Sequence, residues 1–326
     1  MNKKKYKVLI NIFGYIVVIL CFLFIYISFR NVDFGVIKER INYSWILNVM
    51  IFSLIYSILF QLQGITWNIN VEIISERKTN LFEMLSIYST ANIAKYLPGN
   101  IFVFVGRHLI LRKYGISDIR LVLTNLSEII CFFGMSIFIS MLGVISGVIK
   151  IPAHILKSIN LNFFIIAFII VFIFLIILII IFNKKIIKEF IKIMNLNNSI
   201  KIVFNIFLYF LYFTLYGLLN AFIFYFFLNI NISFNDIMVI ISIFSVSWVL
   251  GYIVPGASGG IGVRESILII LLSSYFMKAD VLVFTVLSRV ITLLGEILSF
   301  AYARLYKVYF NINFSKAKVK GKIISK

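Results

Sequence analysis

Histidine and cysteine are nearly missing from this chain of 326 residues, and proline and acid are scarce. Cys21 and Cys131 both lie inside apolar runs, which excludes a disulfide framework and a thiolate zinc site. His108 and His154 are far apart in sequence, so no histidine-based metal site is expected, and no cofactor. The three prolines, Pro98, Pro152 and Pro255, are too few for a collagen-like or low-complexity chain. Charged residues make up 13%, against about 25% in an ordinary soluble domain. Acidic residues number 12 against 31 basic ones, a net charge of +19.

What fills the space is hydrophobic: 62% of the residues, with 35 Phe and a mean hydropathy of +1.06. In a soluble chain the basic excess would point to nucleic acid. Beside such apolar runs it points to the positive-inside pattern of a membrane protein, and no nucleic acid partner is expected. Lys3, Lys4, Lys5 and Lys7 precede an apolar run from Val8 to Phe29, which resembles a signal peptide. That run exceeds the roughly 7–15 residues of a signal h-region and no small-x-small site follows, so it reads as an uncleaved first span.

Six stretches are long enough to cross a bilayer, which takes about 20 apolar residues: roughly 8–29, 45–69, 120–148, 161–183, 202–228 and 281–304. Two further apolar regions are interrupted. One runs from Leu81 to Leu111 and breaks at Pro98-Gly99; the other runs from Phe234 to Met277 and breaks at Pro255-Gly256. Proline removes a backbone donor and breaks a helix. The arm over 82–97 is about 24 Å long as a helix, short of the roughly 30 Å hydrocarbon core. Both regions read as re-entrant hairpins hinged at Pro98, Gly99 and Pro255, of a kind tolerated at that depth only where protein or a watery cavity shields the backbone.

With the N-terminus in the cytoplasm and each hairpin returning to its own side, the inner segments hold Arg77, Lys78, Arg112, Lys113, Arg120, Lys184, Lys185, Lys188, Lys192, Lys201 and the tail from Arg304 to Lys326. The outer loops hold Arg30, Lys38, Arg40, Lys150, Lys157 and Lys278. Both termini are therefore expected in the cytoplasm.

The chain also repeats itself. Pro98-Gly99 with Arg107 matches Pro255-Gly256 with Arg264, nine residues from Pro to Arg in each case. Thr124–Gly134 (TNLSEIICFFG) matches Thr285–Gly295 (TVLSRVITLLG), with Thr, Leu, Ser, Ile and Gly in register. Repeat one covers about 8–148 and repeat two about 161–304, within a single transmembrane domain over 1–326 whose residues 305–326 form a basic cytoplasmic tail. Each repeat crosses an odd number of times, so the second is expected upside down relative to the first. Paired Gly/Pro-broken segments in such inverted repeats point to a site near the bilayer midplane. The fold class expected is an all-α polytopic membrane protein with about six full spans and two broken re-entrant hairpins.

An ionisable side chain within a span costs about 2.5–3.5 kcal/mol on insertion scales, so each is a functional candidate. The set is Lys95, Arg107, Glu128, Arg264, Glu265, Arg289 and Glu296. Lys95, Arg107 and Arg264 lie beside the breaks and are candidates for binding substrate. Thr285, Arg289, Thr292 and Glu296 form one stripe on the last span, at i, i+4, i+7 and i+11. Glu128, Glu265, Arg289 and Glu296 would balance charge or carry protons. Interhelical ion pairs, Glu128 with Arg289 for example, are the alternative reading. Val254–Glu265 (VPGASGGIGVRE) holds Gly256, Gly259, Gly260 and Gly262, whose N–H groups could turn together as an anion nest at a helix N-terminus. A hinge or tight helix packing would use the same glycines.

KYLPGN (Lys95–Asn100), Gly106-Arg107, Gly115-Ile116-Ser117 and VPGASGGIGVRE resemble the lysylphosphatidylglycerol synthase transmembrane-region family, also called flippase-like, over nearly the whole chain. The resemblance implies a lipid flippase-type fold in a plasma membrane of bacterial type. It implies translocation, by alternating access, of an anionic lipid, either a modified phosphatidylglycerol or a polyprenyl-phosphate-linked glycan. Bifunctional members carry a soluble aminoacyl transferase domain after the membrane region; here the last span is followed by a Lys-rich tail, and no catalytic residue is expected. Two other roles remain: the membrane component of lysylphosphatidylglycerol synthesis, of the phosphatidylglycerol lysyltransferase type, or a scaffold for a glycosyltransferase. Expected partners are the anionic lipid or lipid-linked sugar and, beside it, a glycosyltransferase or lipid-modifying enzyme.

Overall fold

The computed structural model describes residues 43–96, 102–149, 196–254 and 258–309, together with Leu23 and Tyr26. Among them are eight α-helices and no strand: α1 (Tyr43–Ser75), α2 (Leu81–Asn92), α3 (Phe102–Arg112), α4 (Asp118–Ile145), α5 (Leu196–Leu228), α6 (Phe234–Ile253), α7 (Val263–Leu272) and α8 (Lys278–Tyr309). Short 3-10 turns follow α2 (Ile93–Tyr96) and precede α7 (Ser258–Gly260). Helix starts use local caps. The Asn80 side chain accepts from the Glu83 N–H at 3.2 Å, and Ser233 and Asp236 cap each other's backbone at the start of α6.

Helices α1, α4, α5, α6 and α8 are long and apolar enough to cross a membrane, so the chain is an all-α, multi-pass membrane protein. Large apolar side chains such as Ile46, Met50, Leu54 and Ile58 on α1, and Val203, Phe204 and Phe207 on α5, are exposed, as lipid-facing residues are. The sequence spans at 45–69, 120–148, 202–228 and 281–304 fall in α1, α4, α5 and α8. Those at 8–29, apart from Leu23 and Tyr26, and at 161–183 lie outside the described residues, as do Pro98, Gly99, Pro255 and Gly256.

Contacts along the helices establish their directions. Trp45 packs on Phe227, Tyr56 on Tyr216, and Asn205 donates to Asn70, so α1 and α5 run antiparallel. These two helices occupy the same place in the two sequence repeats, and their opposite directions are those that inverted repeats require. The first hairpin begins and ends at the C-terminal end of α1: Arg77 donates to the Tyr114 carbonyl at 2.9 Å, Tyr114 donates to Glu83, and Arg120 donates to the Ser75 carbonyl at 2.7 Å. Burial, and then the Glu83 carboxylate, push the Tyr114 phenol up, so it remains the donor in that contact. The second hairpin begins and ends at the C-terminal end of α5, where Ile230 N–H reaches the Phe224 carbonyl and Phe276 stacks on Phe224.

The hairpins thus enter from opposite ends. Their tips meet inside the bundle, where a Cβ on Gly259 would stand 3.2 Å from the Tyr96 ring. Their arms differ in length. Helix α2 has 12 residues, whereas α6 has 20 and is long enough to be a span by itself, yet it stops beside Phe133 of α4 and the chain turns back through α7. Glycines set the packing of both first arms: a Cβ on Gly64 would come within 2.6 Å of Leu85, and one on Gly217 within 2.6 Å of Ile241. Arg77, Lys78, Arg112, Lys113, Arg120 and Lys201 gather at the end where the first hairpin enters; Lys278 is the described basic residue at the other.

Candidate functional site at the meeting of two hairpins

Lys95 and Tyr96 sit on the 3-10 turn that ends the first arm. Both reach Glu296 of α8: Lys95 as an ion pair, Tyr96 through a 2.7 Å hydrogen bond. Tyr56 of α1 donates to the same carboxylate at 3.2 Å. Three donors on one buried carboxylate offset the cost of removing it from water.

Arg107, on the returning arm α3, is almost fully buried and pairs with Glu128 of α4 at 2.6 Å. Its guanidinium lies 3.9 Å from the centre of the Tyr88 ring and 5.3 Å from that of Trp67. Tyr88 in turn donates to Glu128 at 3.3 Å. The Arg107 Nε has no hydrogen-bond acceptor among the described residues.

The second tip is built differently. Gly259 and Gly260 adopt φ of 60° and 73°, left-handed values that side chains rarely tolerate. A Cβ on Gly260 would also stand 3.2 Å from the Gly251 carbonyl oxygen, so this glycine lets the tip lie against α6. The expected anion nest is partly filled by the chain itself: the Gly262 N–H donates to Glu265 at 2.7 Å, which caps α7. Arg289 of α8 donates to the Gly259 carbonyl at 3.3 Å and lies 3.7 Å from Glu265. The suggested Glu128–Arg289 pair does not form, because Arg107 takes Glu128 and Glu265 stands beside Arg289.

Arg264 has no carboxylate within 4 Å among the described residues. Its partners are the Tyr216 hydroxyl at 2.9 Å and the face of Phe244 at 4.4 Å. The cause is visible in the repeats. Position 107 pairs with position 128, whereas the matching positions 264 and 289 are both arginine and cannot pair.

A cavity of about 90 Å³ lies where the tips meet. Lys95, Arg107, Arg264, Arg289, Glu128 and Glu296 line it, and Glu265 stands behind Arg289. Six of the seven sequence-selected charges therefore converge on one space, together with Gly259 and Gly260. Aromatic rings form the rest of the wall, among them Trp248 stacked on Tyr252. The Tyr212 hydroxyl, on another lining residue, is buried without a hydrogen-bond partner among the described residues. Among the described residues no three His, Cys, Asp or Glu side chains stand together as metal ligands would.

Sequence reasoning by ionisable groups overlooked Tyr56, Tyr88, Tyr96, Tyr212 and Tyr216. The available signal was a hydroxyl inside an apolar helix, which must find a partner when buried. Compared with known protein families, curated proteins and solved structures, the chain matches none.

Proposed function

We propose that this protein translocates an anionic lipid across a plasma membrane of bacterial type, by alternating access around the cavity between its hairpin tips. The observation that carries the reading is Arg264, a buried cation with no carboxylate within 4 Å among the described residues, beside a cavity reached by two hairpins from opposite ends. An uncompensated charge at that depth is costly, and a bound anion removes the cost. The phosphate would sit by Arg264 with Lys95 and Arg107 near, while the acyl or polyprenyl tails stay in lipid. The resemblance to the flippase-like family supports the same reading. The basic end, with Arg77, Arg112 and Lys113, faces the cytoplasm together with both termini.

The hairpins supply the moving parts. Each tip is tied to α8, the first through Glu296 and the second through Arg289. Releasing one tip while the other holds opens the cavity to one side at a time, and a head group favours whichever state it contacts better. The test is reconstitution in liposomes with fluorescent phosphatidylglycerol, reading how fast inner-leaflet probe becomes accessible outside. Scrambling no faster than in protein-free liposomes, by well-folded protein and with several anionic lipids, rules the transport reading out in favour of a synthetic or scaffolding role.

A further inference from the structure

The cavity contains more than a positive charge; it has a specific imbalance. Each carboxylate has a cation beside it: Glu128 has Arg107, Glu296 has Lys95 and Glu265 has Arg289. Among the described residues, Arg264 is the cavity cation left over. The hydrogen-bond inventory leans the same way. Among the described residues, the buried polar atoms around the cavity that lack a hydrogen-bond partner and face no carboxylate are the Tyr212 hydroxyl and the Arg107 Nε, since the Arg289 Nε faces Glu265 at 3.7 Å. The Arg107 Nε can only donate, and the hydroxyl can donate. An occupant that completes this site brings one negative charge and acceptor oxygens, and needs no donor.

We infer that the head-group site is built for a singly charged phosphodiester and discriminates against a phosphomonoester. This rests on the anionic-lipid reading above. A phosphodiester shares one charge over two free oxygens, which suits the Arg264 fork. A phosphomonoester carries close to two charges above its second pKa of about 6. The second charge has no cation free to meet it, and like charge facing Glu128 and Glu296 in a low dielectric is repelled. By the same count, a polyprenyl lipid joined to its sugar by one phosphodiester fits, and one joined by a diphosphate does not.

Detergent-purified full-length protein, followed by tryptophan fluorescence, provides the test, since Trp248 lines the cavity. The probes are dioctanoyl phosphatidylglycerol, dioctanoyl phosphatidic acid and dioctanoylglycerol. At pH 8 phosphatidylglycerol should bind at least about tenfold more tightly than phosphatidic acid, and the neutral lipid more weakly than either. Lowering the pH to 5 should strengthen phosphatidic acid binding as it becomes a monoanion, and leave phosphatidylglycerol little changed. Arg264→Gln should weaken phosphatidylglycerol binding at least about tenfold and Arg264→Lys should keep it in part, with thermal denaturation confirming that both variants fold. Equal or tighter binding of phosphatidic acid at pH 8 overturns the inference, as does an unchanged phosphatidylglycerol affinity in folded Arg264→Gln. Binding is read without transport, so selective binding with no scrambling would defeat the transport reading alone.

Discussion

Arg289 and Glu296 stand seven residues apart on one face of α8, and each holds the tip of a different hairpin. Seven residues are close to two helical turns, about 10.5 Å along the axis. One rigid helix therefore fixes how far apart the tips rest, and the cavity is the space between its two attachment points. The opposite signs matter. Glu296 takes the Lys95 ammonium and the Tyr96 hydroxyl, whereas Arg289 takes a carbonyl and lies by the Glu265 carboxylate.

Replacing Arg264 by Gln should leave the fold intact and cut lipid scrambling severely. The side chain makes one hydrogen bond to Tyr216 and contacts Phe244, but has no carboxylate to strand. Lysine should restore only part of the rate, because it lacks the planar fork. Liposome scrambling beside a melting curve checks both halves; normal scrambling by a well-folded Arg264→Gln protein removes the phosphate role.

Glu296→Gln should destabilise the protein, because it leaves Lys95 without its carboxylate. Removing one partner of a buried pair costs about 3–5 kcal/mol, and this pair should fall at the low end because Lys95 is partly exposed. The double variant Lys95→Met with Glu296→Gln should recover part of that loss. Melting temperatures of the three proteins decide the matter, and a single variant as stable as the parent shows that the pair is not a latch.

Gly134 and Gly295 hold matching places in the two repeats, yet alanine should act oppositely at them. A Cβ at position 295 would meet the Tyr56 ring at 2.6 Å and the Ser53 carbonyl oxygen at 2.7 Å, whereas one at 134 meets nothing within 4 Å among the described residues. Gly295→Ala should cost about 1–3 kcal/mol by overpacking. Gly134→Ala should be neutral or add up to about 1 kcal/mol from helix propensity. Denaturation of both variants in one detergent is sufficient to compare them.

Lys113 and Lys278 should be accessible from opposite sides of the membrane. A single cysteine at each position, in a chain with Cys21 and Cys131 replaced by serine, can be labelled with an impermeant maleimide in intact cells. Position 278 should react and position 113 should not until the membrane is opened. Labelling of both in intact cells contradicts the inverted arrangement.

The helices were legible because apolar runs of bilayer length have few alternatives: every backbone group must be satisfied within its own segment. The stripe at Thr285, Arg289, Thr292 and Glu296 was legible from helical spacing, and its two charged members prove to be the attachment points of the tips. The partners were not. Glu128 and Arg289 match in register and have opposite charge, which made them a natural pair on paper. In the folded chain Glu128 faces Arg107, nearer in sequence and on the arm that packs against it. The glycine run suggested an open nest, but its Gly262 N–H meets a carboxylate three residues on.

The sequence by itself determined that this is a membrane protein; its internal matches suggested two related halves, with seven charges placed where charge is expensive. That much follows from composition, segment length and internal repetition, all of which are properties of the chain before it folds. The tertiary structure alone decided which of those charges neutralise one another and which is left over. Ion pairing depends on distances of a few ångströms between helices far apart in sequence, and those distances come from how the hairpins seat against α4 and α8. The surplus at Arg264, and the tyrosines around it, are consequences of that seating.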